Sequence, residues 1–174
     1  KWWNRRCEGW LYLAELYAAI AALTAQIPYP RERLETAWKH MLFNQFHDIL
    51  PGSAIREVYV DAERSWQAAA QVVSIIDTAL MAIVGQIRLP SPPHPDATAI
   101  VVLNPCNWER SAIVHTVFDL ERINSEAENQ QTWQIWDLDG QTVAASFSSQ
   151  GKGSDHSGWE LTFLAERVPA LGYR

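Results

Sequence analysis

The sequence predicts an α+β multidomain chain: a three-helix bundle followed by a partial antiparallel β-sandwich. Three observations lead there. Apolar residues recur at helical spacing between Trp3 and Ile87. The stretch Leu89-Pro90-Ser91-Pro92-Pro93-His94-Pro95 then interrupts the chain with prolines, through which no helix continues. Beyond it the apolar period switches to two, as in strands. The expected boundaries are a bundle over 1–88, a linker over 89–97 and a β region over 98–174.

The first helix is expected from Trp3 to about Gln26. Trp3, Cys7, Trp10, Ala14, Tyr17 and Ala21 form one stripe, and Leu13, Leu16, Ile20 and Leu23 a second, so burial on two sides is expected. Pro28-Tyr29-Pro30 ends it, because proline disfavours the helical region for the residue before it. A second helix should run from about Arg31 into the Asn44–Asp48 region, with Leu34, Ala37, Trp38, Met41 and Leu42 inward. Pro51-Gly52 breaks the chain, and Ser53 is placed to N-cap a third helix. That helix carries Ile55, Tyr59, Ala62, Trp66, Ala69, Val73, Ile76, Leu80, Ile83 and Ile87, whose steps of four and three form the seam of an antiparallel bundle.

Five strands are expected in the second half: Ala99–Leu103, Ala112–Leu120, Thr132–Leu138, Thr142–Phe147 and Gly158–Glu166. Asp139-Gly140 is a strong hairpin signal. Five strands are fewer than a closed sandwich needs. With the abrupt opening Lys1-Trp2-Trp3 and the absence of a starting methionine, this leads to the expectation that the chain is part of a longer one.

Composition narrows the function. The net charge is −6 with scattered lysines and arginines, so no basic stripe is available for nucleic acid. No run of apolar residues approaches the roughly 20 that span a bilayer, so no membrane role is expected. Leu11 to Leu23 comes nearest, and Glu15 interrupts it. Cys7 and Cys106 have no metal-binding spacing and form no disulfide framework, which points to free thiols and a cytoplasmic protein. Nine tryptophans are many for this length. They accompany carbohydrate-handling proteins, although ordinary core is the commoner explanation.

The segment with most chemistry is Asn44-Gln45-Phe46-His47-Asp48-Ile49-Leu50-Pro51-Gly52-Ser53. It sets a histidine beside a carboxylate at a helix end, flanked by apolar residues. Imidazole is a common zinc ligand, and a carboxylate accepts hydrogen bonds from sugar hydroxyls. Taken alone, such a pair is more often local capping. If the helix continued, His40 and His47 would stand two turns, or about 10 Å, apart, too far to share a metal. His94, His115 and His156 have unrelated spacings. Glu8, Glu15, Glu57 and Glu63 fall on helix faces, and Asp137 and Asp139 on a turn. Ser53 lacks a nucleophile-elbow context, and Gly151-Lys152-Gly153-Ser154 precedes a strand rather than the helix a phosphate loop requires.

This ten-residue segment, with Ile55, Val58-Tyr59 and Asp61 after it, resembles the central motif of the α-mannosidases of glycoside hydrolase family 38. Asn4-Arg5-Arg6-Cys7-Glu8 with Ala14-Glu15-Leu16 is similar to the entry of that family's helical middle domain. Val102-Leu103-Asn104-Pro105 with Trp108-Glu109-Arg110, and Val168-Pro169-Ala170-Leu171-Gly172-Tyr173-Arg174, resemble parts of its C-terminal β region. The resemblance implies a zinc-dependent retaining enzyme that hydrolyses α-mannosidic bonds in oligosaccharides or glycans. It implies His47 as one Zn2+ ligand and Asp48 as a contact to mannose hydroxyls. The nucleophile and the acid/base would lie in an N-terminal α/β domain, with no catalytic residue in this chain. The expected partners are therefore a mannose-containing oligosaccharide and that α/β domain, and the chain alone is expected to be inactive and not to bind zinc tightly. The alternatives are a non-catalytic carbohydrate-binding or interaction module and a purely structural helical domain.

Overall fold

The long helix α1, Trp2–Thr24, forms as its periodicity predicts, but its buried face is narrower than two full stripes. Cys7, Ala14, Tyr17 and Ala21 are buried with Leu11 and Ala18, whereas Leu13, Leu16 and Ile20 are half-buried and Leu23 is exposed. The computed structural model describes residues 2–91, 94, 97–118, 133–149 and 159–174. They fall into two compact units, Lys1–Ile87 and Arg88–Arg174.

In the helical unit, α2 spans Arg31–Phe43 and buries Leu34, Ala37 and Met41, with Trp38 half-buried and Leu42 exposed. Its end falls before the histidine–aspartate pair. The expected third helix is present in two segments, α3 at Arg56–Ala70 and α4 at Val73–Val84. Between them the N–H groups of Gln71 and Val72 reach the carbonyls of Ala68 and Ala69, three residues back. This tighter turn advances each residue by more than an α-helical step. The buried face therefore moves from the expected Val73 to Val72, then continues through Ile76, Ala79 and Ile83. Arg56–Val84 is long and apolar enough to cross a membrane by length and composition, although no unbroken apolar run within it is. Here that stretch buries one face within the helical unit, with α4 packed on α1 and α3 on α2.

Ser53 is not the N-cap. Ile55 occupies that position in an extended conformation, with no side-chain cap. The Ser53 hydroxyl instead donates to the Asp48 carbonyl at 3.4 Å.

Buried and part-buried polar contacts tie the helices together. The Trp66 indole N–H donates to Asn4 Oδ1 at 2.7 Å, and that of Trp38 to Glu15 Oε1 at 3.0 Å. Each lets a large ring pack without stranding its donor. Burial pushes the Cys7 thiol up, partly opposed by the Arg6 charge.

In the β unit, β1 (Arg110–Phe118), β4 (Ala145–Ser149) and β5 (Trp159–Val168) form an antiparallel sheet ordered β1-β5-β4. The hairpin β2 (Ile135–Trp136) and β3 (Thr142–Val143) turns through Asp139-Gly140, where Gly140 takes φ +76°. The Asp137 carboxylate accepts the N–H groups of Asp139 and Gln141, fixing this turn. The expected strand Thr142–Phe147 is two strands, separated at Ala144. The expected strand Ala99–Leu103 is reduced to an extended segment in which Val102 exchanges backbone hydrogen bonds with Arg174, and the Asn104 N–H that follows donates to the Gly172 carbonyl. The core is Leu161, Phe163, Ala165 and Val168 of β5, with Val102, Val114, Ile135, Val143 and Phe147 against it. His156, Gly151–Ser154 and the expected strand positions 119–120, 132 and 158 lie outside the described residues.

Candidate functional site

Asn44 closes α2 and is fully buried. Its Nδ2 donates 2.9 Å to the Ala62 carbonyl, linking α2 to α3, while its Oδ1 has no hydrogen-bond partner among the described residues. After Asn44 the chain leaves the helix in consecutive turns, Ile49 and Leu50 both donating to the Phe46 carbonyl at 3.0 Å. His47 is thus on a turn rather than on α2, and the two-helical-turn relation to His40 does not apply.

The turns point the pair outward. The His47 side chain is 77% exposed and that of Asp48 59%, with Nε2 3.6 Å from Oδ1. That separation is an ion-pair distance rather than a hydrogen bond. The Phe46 ring lies 4.2 Å from the imidazole, tilted by 44°. Phe46 is 52% exposed and Leu50 is also exposed, whereas Ile49 is only 7% exposed. Of the three residues flanking His47, two therefore form an apolar surface and the third anchors the loop. Leu42, Phe43 and Ile55 are exposed as well.

An open concavity of about 590 Å³ lies beside the pair, lined in part by Phe43, Phe46, Asp48, Ile55, Val58 and Asp61. Its lining combines aromatic and aliphatic side chains with two carboxylates. Tyr59 was expected in the apolar stripe of the third helix and Asp61 only within the family motif. Tyr59 reads as an ordinary position of the α3 stripe, and no period identifies it as anything else.

A zinc site takes three or four nitrogen, sulfur or oxygen ligands. Among the described residues no three His, Cys, Asp or Glu side chains gather to hold a metal. His47 fits as one donor, being exposed and free of a short hydrogen bond to Asp48. The remaining donors would have to come from elsewhere.

Comparison with known proteins gives this geometry its context. Residues 1–83 match the family described as the alpha mannosidase middle domain. That match takes in nearly the whole helical unit. Alpha-mannosidase 2C1 of Mus musculus is 29% identical over 113 residues, and that of Homo sapiens 32% over 112. Each match covers 64% of this chain and 10% of the relative, so the chain spans only a small part of those proteins. Two solved structures share the fold over 98% of this chain and 22% of their own, both at 20% identity. They are a glycosyl hydrolase family 38 protein from Enterococcus faecalis, at a TM-score of 0.69, and an alpha-mannosidase from Enterococcus faecalis V583, at 0.66. The family match is confined to residues 1–83, so it is the helical unit that belongs to the alpha-mannosidase middle-domain family.

Proposed function

We propose that this chain forms one wall of the active site of a zinc-dependent, retaining α-mannosidase acting on oligosaccharides or glycans. The observation that carries the reading is the outward projection of His47 and Asp48, side by side, from a middle domain of that family. His47 supplies one ligand to Zn2+, and Asp48 accepts hydrogen bonds from mannose hydroxyls. A metal held there supplies positive charge that orients and polarises sugar hydroxyls. The other ligands, the nucleophile and the acid/base belong to an α/β domain outside this chain. That domain covers the exposed Phe46 and Leu50. Retention of configuration needs two carboxylates flanking the scissile bond, about 5–5.5 Å apart, so this chain alone turns nothing over. The free thiols of Cys7 and Cys106 are in keeping with a cytoplasmic protein.

The test is made on the enzyme that contains this chain, by metal analysis and hydrolysis of an aryl α-mannoside. His47→Ala is expected to lose both zinc and activity, and His40→Ala to keep both. Asp48→Asn should retain the metal but lose turnover. Equal zinc content in His47→Ala and unmutated enzyme would remove the ligand assignment. Zinc-dependent hydrolysis by the purified 174-residue chain would remove the claim that it is inactive alone.

A further inference from the structure

We infer that Tyr59 is a positioning residue, whose hydroxyl holds the loop from Asp48 to Ala54 in the shape that presents His47 and Asp48. Tyr59 sits in the first turn of α3, and its ring is half-buried. Its Oη accepts the Ala54 N–H at 3.2 Å and lies 3.4 Å from the Ile49 carbonyl and 3.5 Å from that of Asp48. One hydroxyl thus joins both arms of the loop, donating to one and accepting from the other. Pro51-Gly52 turns the chain around this oxygen, with Gly52 at φ +97° and its missing side-chain position 4.0 Å from it. The Ser53 hydroxyl closes the same loop onto the Asp48 carbonyl at 3.4 Å.

Among the described residues, the hydrogen bonds that hold Asp48 in the loop go to its backbone carbonyl. Its carboxylate is exposed and paired only loosely with His47. The direction of its side chain therefore follows the direction of its backbone, which Tyr59 and Ser53 set. Groups that orient a ligating or binding side chain from behind affect affinity or activity by about 10–100-fold when removed. The inference deepens the proposed function and rests on it for its catalytic consequence, but the loop geometry is measurable without it.

The test is Tyr59→Phe, which keeps the ring and removes only the oxygen. Hydrogen exchange in the 174-residue chain should show the Ala54 amide losing protection, while amides within α3 such as Trp66 keep theirs. In the intact enzyme, kcat/KM on an aryl α-mannoside should fall by about tenfold or more with zinc content retained. Unchanged Ala54 protection, or unchanged kcat/KM in an enzyme that His47→Ala inactivates, overturns the positioning role. If His47→Ala itself leaves zinc and activity intact, the proposed function fails instead, and loss of Ala54 protection still supports the hold on the loop. Ser53→Ala, which removes the weaker closure, should lower kcat/KM by less than Tyr59→Phe, and the reverse order would also count against Tyr59.

Discussion

Two segments that resemble family motifs, one in each unit, are built around a buried asparagine, and they use it in opposite ways. Asn104 is almost fully buried and saturated with partners. Its Nδ2 meets the carbonyls of Trp108, Val168 and Pro169 at 2.7, 3.1 and 3.0 Å, and its Oδ1 accepts the Cys106 N–H at 3.0 Å. It fastens the start of the β unit to the chain's last residues. Among the described residues, the Asn44 side chain makes one hydrogen bond and leaves its oxygen unsatisfied. The chain after it is directed to solvent. A saturated clamp marks a motif kept for folding, and a lightly held loop with exposed polar groups marks a motif kept for contact with something else.

The largest effect that can break this contrast is at Asn104. Asn104→Ala strips the side-chain donor from three carbonyls and the acceptor from one N–H, in a setting buried at Val168 and part-buried at the others. Unsatisfied buried groups cost about 1–3 kcal/mol each, less where another donor remains, as the Gly172 N–H does for Pro169. A loss of about 3 kcal/mol from the β unit is expected, read by urea unfolding with segment-resolved hydrogen exchange. Asn104→Asp should do at least as much harm, since it turns a charged acceptor toward three carbonyls. A loss under about 1 kcal/mol would mean the clamp is decorative.

Asn44→Ala should lose less, about 1–2 kcal/mol. It removes a single bond, to a helical carbonyl that has its own intrahelical donor, and deletes the unsatisfied oxygen at the same time. Matching losses at Asn44 and Asn104 would erase the distinction between the two motifs. Gly52→Ala ranks next, at about 1 kcal/mol. No neighbour obstructs its side-chain position, so the effect comes from φ +97° alone.

The thiols sharpen the comparison from another side. Cys7 is buried in the helical unit and Cys106 is partly exposed in the β unit. Native alkylation should mark Cys106 first. The folded state keeps the Cys7 proton beyond the ordinary thiol range, so its contribution to stability is fully present below the unfolded value. It is lost as pH rises through the raised value. Helical-unit stability that increased through the alkaline range would contradict that sign.

Period and punctuation made much of the fold legible. Cys7, Ala14, Tyr17 and Ala21 declared the buried side of α1, and Asp139-Gly140 declared the β2–β3 turn. What stayed hidden depends on contacts made at a distance. The tight turn at Gln71-Val72 involves no glycine or proline, so the sequence of the third helix reads as unbroken. Ser53 has the chemistry of an N-cap, but the loop it sits in directs its hydroxyl back to Asp48. The segment before Asn104 lost its strand character because only a few residues near the C-terminus pair with it. The His47–Asp48 pair was visible as chemistry but became distinctive only through the family resemblance. The family resemblance, with its absent α/β domain, also implies an exposed apolar patch of Phe46, Ile49 and Leu50 around His47; Phe46 and Leu50 are exposed, but Ile49 is buried.

The smallest predicted change in stability is at the pair itself, and it bears most directly on function. His47 and Asp48 are largely in water, and exposed ion pairs contribute about 0–1 kcal/mol even when well formed. Theirs is a loose contact at 3.6 Å. His47→Ala and Asp48→Asn should therefore leave the unfolding midpoint of the chain within about 0.5 kcal/mol of its original stability. The same substitutions should abolish metal retention and turnover, respectively, in the intact enzyme. That separation is the signature of residues placed for a partner rather than for the fold. A loss of 2 kcal/mol or so at either position would show that the pair belongs to the packing of the helical unit, and the contrast with Asn104 would collapse.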